Sequence, residues 1–196
     1  MQLIVITLPS FIPNEGTYIN RLFEWGIDRI HIRKPGSSLS DCRRLVEDVS
    51  AEWHARLSLH DHHSLSLEYG MGIHLNARHP EPPLAVPSSL PLSASCHSFS
   101  EVVLRKPQCR YVFLSPVFDS ISKQGYCSSF SSSELQAASR DGIIDRQVMA
   151  LGGITASRIP LLREWNFGGA VMLGDIWNRA GEPDFSAYIR HLVMVK

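Results

Sequence analysis

The sequence predicts an α/β protein, a compact (β/α)8 barrel of the TIM type in a single domain spanning residues 1–196. Three observations predict it. Short apolar runs rich in β-branched residues recur at 3–6, 29–33, 56–59, 72–75, 90–94, 111–114, 147–151 and 169–173, giving eight candidate strands. Amphipathic stretches long enough for helices fill most intervals, at 17–25, 40–54, 98–105, 132–141, 156–165 and 184–193. Strands alternating with helices imply a parallel sheet with crossover connections. Glycine-bearing turns follow the seventh and eighth runs, the position at which such barrels hold a phosphate.

Taken in order, the segments agree with local start and stop signals. The first run, within MQLIVITLPS, is apolar for only a few residues and lacks a basic leader, so it reads as a buried strand and not as a signal peptide. Ser40 and Ser98 each precede a polar first turn, and Ser98 has Glu101 three residues on, a capping-box pattern. Over 76–91, Pro80, Pro82, Pro83, Pro87 and Pro91 rule out a regular helix, so the fourth helix is expected to be missing. No linker or low-complexity tract divides the chain; a doubly wound sheet is the alternative architecture.

Lys plus Arg and Asp plus Glu balance at 19 each, so no global field recruits nucleic acid or a membrane surface, and an anion must be held by local groups. The expected partners are small phosphorylated molecules, with a homo-oligomer left open. No segment is long enough to span a bilayer. Cys42, Cys96, Cys109 and Cys127 lack CxxC spacing and read as reduced thiols, which places the protein in the cytoplasm.

Candidate chemistry gathers at the ends of the runs. After the seventh, Gly152 and Gly153 lead into a helix, and after the eighth comes Gly174; glycines there let backbone N–H groups approach a phosphate. The second run ends HIRKP, so period-two alternation sends His31 and Arg33 to one face, and Arg33 with Lys34 suits a diphosphate. The third run ends LHDHH. Its imidazoles invite a zinc reading, but the first strand carries no histidine, and Asp61 is preferred as a hard carboxylate for Mg2+ bound together with a phosphate. After the fifth run stand Ser95, Cys96 and His97 without an orienting third group, so no nucleophilic triad is read. After the sixth, Ser120, Ser122 and Lys123 lie on a long loop of the kind that closes over phosphates.

In this order the segments resemble thiamine-phosphate synthases and their thiazole-tautomerase relatives across nearly the whole chain. The resemblance rests on His31, Arg33 and Pro35 against a Q-x-R-x-K pattern, His60-Asp61 against N-D, and Gly72-Ile73-His74-Leu75-Asn76-Ala77 against G-V-H-L-G-Q. It continues through 95–98 against S-x-H-S, Ser115-Pro116 with Ser120, Ser122 and Lys123 against G-P-x-x-x-T-x-T-K, and 150–154 against A-I-G-G-I. It implies a transferase that joins 4-amino-5-hydroxymethyl-2-methylpyrimidine diphosphate to a thiazole phosphate, giving thiamine phosphate and diphosphate. Carried over, Arg33 and Lys123 hold the diphosphate as the catalytic cations and Asp61 holds Mg2+. Ser95, Ser120 and Ser122 contact the pyrimidine and phosphates, Gly152, Gly153 and Gly174 the thiazole phosphate, and His31, Lys34 and His60 line the substrate site. The chain departs from the pattern at Pro35, where the family has a lysine, at His60, where it has an asparagine, and at His79, near its second metal-binding aspartate. Two alternatives follow: a metal-free thiazole tautomerase using His74 or His97 as acid and base, although Pro116 stands where that branch has its histidine, or a noncatalytic phosphate-ligand binder.

Overall fold

The computed structural model describes residues 1–119 and 129–196. Its strands are β1 (Gln2–Ile6), β2 (Arg29–Ile32), β3 (Leu57–Leu59), β4 (Gly72–Leu75), β5 (Leu92–Cys96), β6 (Tyr111–Leu114), β7 (Val148–Leu151) and β8 (Gly169–Met172). They close into one barrel in sequence order, with β8 pairing back onto β1 and every pair parallel. The helices among the described residues are α1 (Glu15–Glu24), α2 (Leu39–Glu47), α3 (His63–Tyr69), α4 (Phe99–Arg105), α5 (Ser132–Arg140), α6 (Ile159–Glu164), α7 (Gly174–Trp177) and α8 (Phe185–Val195). None is long and apolar enough to cross a membrane.

The proline-rich stretch 76–91 contains no helix, as its composition dictates, and it begins with an antiparallel bridge between Asn76 and His79. β5 starts two residues later than the apolar run because Pro91 has no N–H to give the ladder; its carbonyl instead accepts from the Ile73 N–H. The stretch expected to be helical over 40–54 splits into α2 and a 3₁₀ turn, Ala51–Arg56. The Asn20 side chain marks the break, donating to the Asp48 carbonyl at 3.1 Å and accepting from the Ser50 N–H at 2.9 Å. The cap of α2 is Ser38, not Ser40, with the Asp41 N–H donating to its hydroxyl at 3.0 Å. At α4, Ser98 does accept from the Glu101 N–H, but the Glu101 carboxylate turns to the N–H of His97. The reciprocal box forms instead at Ser131 and Glu134. α3, which the apolar pattern did not mark, is a short helix entered at His62 with φ 53° and left at Gly70 with φ 69°.

Outward-facing strand residues such as Ile30, Leu59, Ile73, Val112 and Ala150 pack under the helices in one continuous core. Facing the barrel axis, β1, β6, β7 and β8 present Ile4, Ile6, Tyr111, Phe113, Met149 and Val171, a separate and mostly apolar cluster. On β2 to β5 the same alternation presents Arg29, His31, Ser58, His60, His74, Ser93 and Ser95, so half of the interior is polar. Such groups are costly unless hydrogen-bonded, a requirement that organises the site and that only Arg29 Nη1, among these groups, fails to meet in the structure. Cys42, Cys96 and Cys109 are buried, free thiols, pushed up by burial to about 11, 12 and 11. Cys127 lies outside the described residues.

Candidate active site

The C-terminal ends of β2 and β3 carry the charge. Thr7, just past β1, extends the ladder: its N–H donates to the His31 carbonyl, and its hydroxyl accepts from the Arg33 N–H at 2.9 Å. This fixes the backbone from which the Arg33 side chain leaves, half-buried at the mouth, where its charge is felt by His60. Its guanidinium forms no ion pair among the described residues.

Lys34 does not join it. The residue is buried, and its Nζ donates to the Leu8 and Ser10 carbonyls at 2.8 Å each and to both Glu15 oxygens at 2.6 and 2.8 Å. Burial pushes the Glu15 carboxyl up and the Lys34 ammonium down, while the ion pair between them opposes both shifts. The expectation that Lys34 supplies a diphosphate-binding cation is therefore corrected: alternation turns it away from Arg33, and it locks the β1–α1 loop onto β2.

Beneath the mouth, His31, His60 and His74 are packed together. His31 Nδ1 lies 3.0 Å from His60 Nε2, His31 Nε2 lies 2.8 Å from the Tyr111 hydroxyl, and the rings of His60 and His74 stack at 4.1 Å. His74 bonds to two hydroxyls of β5, Ser93 and Ser95, at 2.9 Å each. Burial pushes all three imidazoles down, His74 to about 3, and the neighbouring imidazoles and arginines add to the effect. All three are neutral at pH 7. His31 is fully buried with both nitrogens engaged, so it does not reach a ligand as expected of a substrate-binding residue; it supports His60, which is 4% exposed.

Asp61 follows at the end of β3. Arg78 forks onto it, Nε to Oδ1 and Nη2 to Oδ2, both at 3.1 Å, and His79 Nε2 stands 3.3 Å from Oδ1. Asn76 builds this arrangement, donating to the His60 carbonyl at 2.7 Å and accepting from the N–H groups of Arg78 and His79. Sequence reasoning missed Asn76 and Arg78. The available signal was an asparagine just past a strand, whose side chain bonds backbone two residues on. A cavity of about 240 Å³ opens beside this sector, on the side where β4 lacks a helix, with Asn76, Ser95, His97 and Arg105 in its lining. His97 is exposed and contacts the Ser115 carbonyl at 3.0 Å.

The second sector of the mouth belongs to β7 and β8. Gly152 and Gly153 have φ of 101° and 63°, left-handed conformations that favour glycine. The loop after β6 lies directly on them: the Val117 and Phe118 N–H groups donate to the Leu151 and Gly152 carbonyls, and a Cβ on Gly152 would meet Pro116 Cα at 2.9 Å. A Cβ on Gly153 would collide with the Asp119 carbonyl oxygen. The paired glycines thus serve loop packing as well as any ligand. Arg158 donates to the Gly153 carbonyl and lies over the Phe118 ring at 4.4 Å. Gly174 opens α7, whose Trp177 indole N–H donates to the Ile6 carbonyl at 2.7 Å and ties the β8 turn to the end of β1. Ser120, Ser122 and Lys123 lie outside the described residues.

With this geometry established, comparison with known proteins relates the chain to characterised families and structures. Residues 3–176 match the family model described as thiamine monophosphate synthase. The chain is similar over its full length to thiamine phosphate pyrophosphorylase from Bacteroides thetaiotaomicron, with 37% identity, 97% of that chain covered and a TM-score of 0.88. The fold is shared with thiamine phosphate pyrophosphorylase from Pyrococcus furiosus, at 18% identity, 99% and 94% coverage and TM-score 0.73. It is also shared with (S)-3-O-geranylgeranylglyceryl phosphate synthase from Thermoplasma acidophilum, at 13% identity, 99% and 92% coverage and TM-score 0.63. The comparison with curated proteins found no match.

Proposed function

The chain belongs to the thiamine monophosphate synthase family, and from that premise we propose that it is the transferase joining 4-amino-5-hydroxymethyl-2-methylpyrimidine diphosphate to a thiazole phosphate. The observation that carries the reading is the pairing, on adjacent strand ends, of a guanidinium at Arg33 that has no ion-pair partner among the described residues with a carboxylate at Asp61.

In the proposed reaction the methylene C–O bond to diphosphate breaks, a pyrimidine-methyl cation forms, and the thiazole nitrogen lone pair closes the new C–N bond. Thiamine phosphate and free diphosphate are the products. No protein nucleophile is needed, so the enzyme works by charge and position. Arg33, with Lys123, holds the departing diphosphate. Ser95, oriented by His74, and Ser120 and Ser122 hydrogen-bond the pyrimidine and phosphates. His60, backed by His31, forms the floor. On the other sector, backbone amides at Gly152, Gly153 and Gly174 receive the thiazole phosphate, which places the two anionic groups on opposite sides of the reacting atoms.

A magnesium ion supplies positive charge to the leaving diphosphate in such a reaction, and one protein carboxylate with substrate oxygens and water makes a sufficient shell. Asp61 fits as that carboxylate. Its present partner, Arg78, has a side chain 46% exposed. The buried free thiols support a cytoplasmic setting.

The test is to incubate the pure protein with both precursors and Mg2+, omitting each in turn. Thiamine phosphate is expected only in the complete mixture, and Arg33→Ala and Lys123→Ala are expected to abolish it without unfolding the chain. Product formation undiminished in both variants would overturn the site.

A further inference from the structure

The synthase reading uses His31, His60 and His74 only as floor and scaffold, yet their arrangement has the form of a ligand set. Each offers a ring nitrogen, and these atoms lie within 4.8 Å of one another, with all three residues buried. The zinc reading suggested by the 60–63 run thus finds a different trio, one histidine from each of β2, β4 and the end of β3.

A tetrahedral ion with bonds of about 2.0–2.1 Å to imidazole holds its nitrogens roughly 3.3 Å apart. The 3.0 Å between His31 Nδ1 and His60 Nε2 is already close to that; with all three nitrogens within 4.8 Å, binding requires the stacked His60 and His74 rings to turn and move inward by up to about 1.5 Å. Outer partners are in place as well. The Ser93 hydroxyl donates to the Ile73 carbonyl at 3.3 Å, so it accepts from His74 Nδ1–H and leaves the Nε2 lone pair, which accepts from the Ser95 hydroxyl at 2.9 Å until an ion displaces it. Tyr111 plays the orienting part for His31 Nε2. Metal-bound histidines are held in this way, by a hydrogen bond on the far nitrogen.

We propose that His31, His60 and His74 form a site for one divalent transition ion of the Zn2+ type, with water in the fourth position. Three nitrogen donors and no carboxylate discriminate against Mg2+. The site is therefore separate in chemistry from Asp61 and does not depend on the synthase reading.

The experiment titrates the chelator-stripped full chain with Co2+ and with Zn2+ in excess Mg2+. One ion per chain is expected, with the intense visible absorption of four-coordinate Co2+, displacement by Zn2+, and a higher Tm with Zn2+. His60→Asn and His74→Asn are expected to weaken binding at least about tenfold, while His191→Asn on the exposed face of α8 leaves it unchanged. Weak six-coordinate Co2+ absorption, no binding, or binding that survives loss of both His60 and His74 would overturn the proposal. If those variants do not fold, the wild-type Co2+ spectrum decides by itself.

Discussion

His31 Nδ1 faces His60 Nε2 at 3.0 Å inside the barrel, and two imidazole nitrogens at that distance share one proton. A second proton would set two N–H groups against each other in a low-dielectric interior. Burial accordingly holds His31, His60 and His74 below the usual histidine value, whereas the unfolded chain titrates near 6.5. Below that pH the unfolded state binds more protons, so this stability is present above about pH 6.5 and is lost as pH falls, by up to ~1.4 kcal/mol per unit for each histidine. Urea midpoints of the metal-free protein are expected to drop steeply between about pH 6.5 and 5, and less steeply in His74→Gln. A flat profile would contradict the neutral cluster.

Lys34 and Glu15 form the counterpart of that cluster on the outside of β2, a pair with side chains 1% and 2% exposed. Removing one partner leaves a buried, unpaired charge. Lys34→Met is expected to cost about 3–5 kcal/mol, and Lys34→Met with Glu15→Leu to recover much of it. Chemical denaturation of the single and double variants measures both, and strict additivity of the two losses would show that the pair is not coupled.

At Asp61, Arg78 competes for the oxygens that the proposed magnesium needs. Turnover is expected to stop in EDTA and to return with Mg2+, and Asp61→Asn to lower it at least about a hundredfold. Arg78→Ala removes the competitor. It is expected to lower the Mg2+ concentration for half-maximal turnover about two- to fivefold, the equivalent of ~0.5–1 kcal/mol for a pair whose arginine is about half exposed. Turnover indifferent to EDTA would place the charge on Arg78 instead of on a metal.

Gly153 combines φ of 63° with the Asp119 carbonyl oxygen directly against the position of a Cβ. Gly153→Ala is expected to destabilise the protein by at least about 2 kcal/mol, from overpacking and left-handed backbone together. It is also expected to raise KM for the thiazole phosphate more than for the diphosphate substrate. Equal effects on both would detach the glycine turn from the phosphate.

Much of the barrel was legible because a strand buried on both faces writes its pattern locally: RIHIR, LSLH, GIHL and LSASC each announce an apolar outer face and a polar inner one. What those inner residues do to each other was not legible, since the meeting of His31, His60 and His74 depends on register between strands. Lys34 shows the same limit in another form. Its charge and position at a strand end matched a diphosphate ligand, but its partner is Glu15, on the first turn of α1, and no local pattern ties the two. Arg78 reaches Asp61 from a loop whose prolines gave only the absence of a helix. The glycines were read for a ligand, while their contact with the loop after β6 is a matter of tertiary packing.

The most direct test of the account follows both precursors with the wild-type protein and Mg2+ by phosphorus NMR. Thiamine phosphate and free diphosphate are expected to appear in equal amounts, at a rate set by the protein and lost in Arg33→Ala. Diphosphate release without thiamine phosphate, or no change in either precursor at high enzyme concentration, would contradict the assignment of this barrel as a synthase.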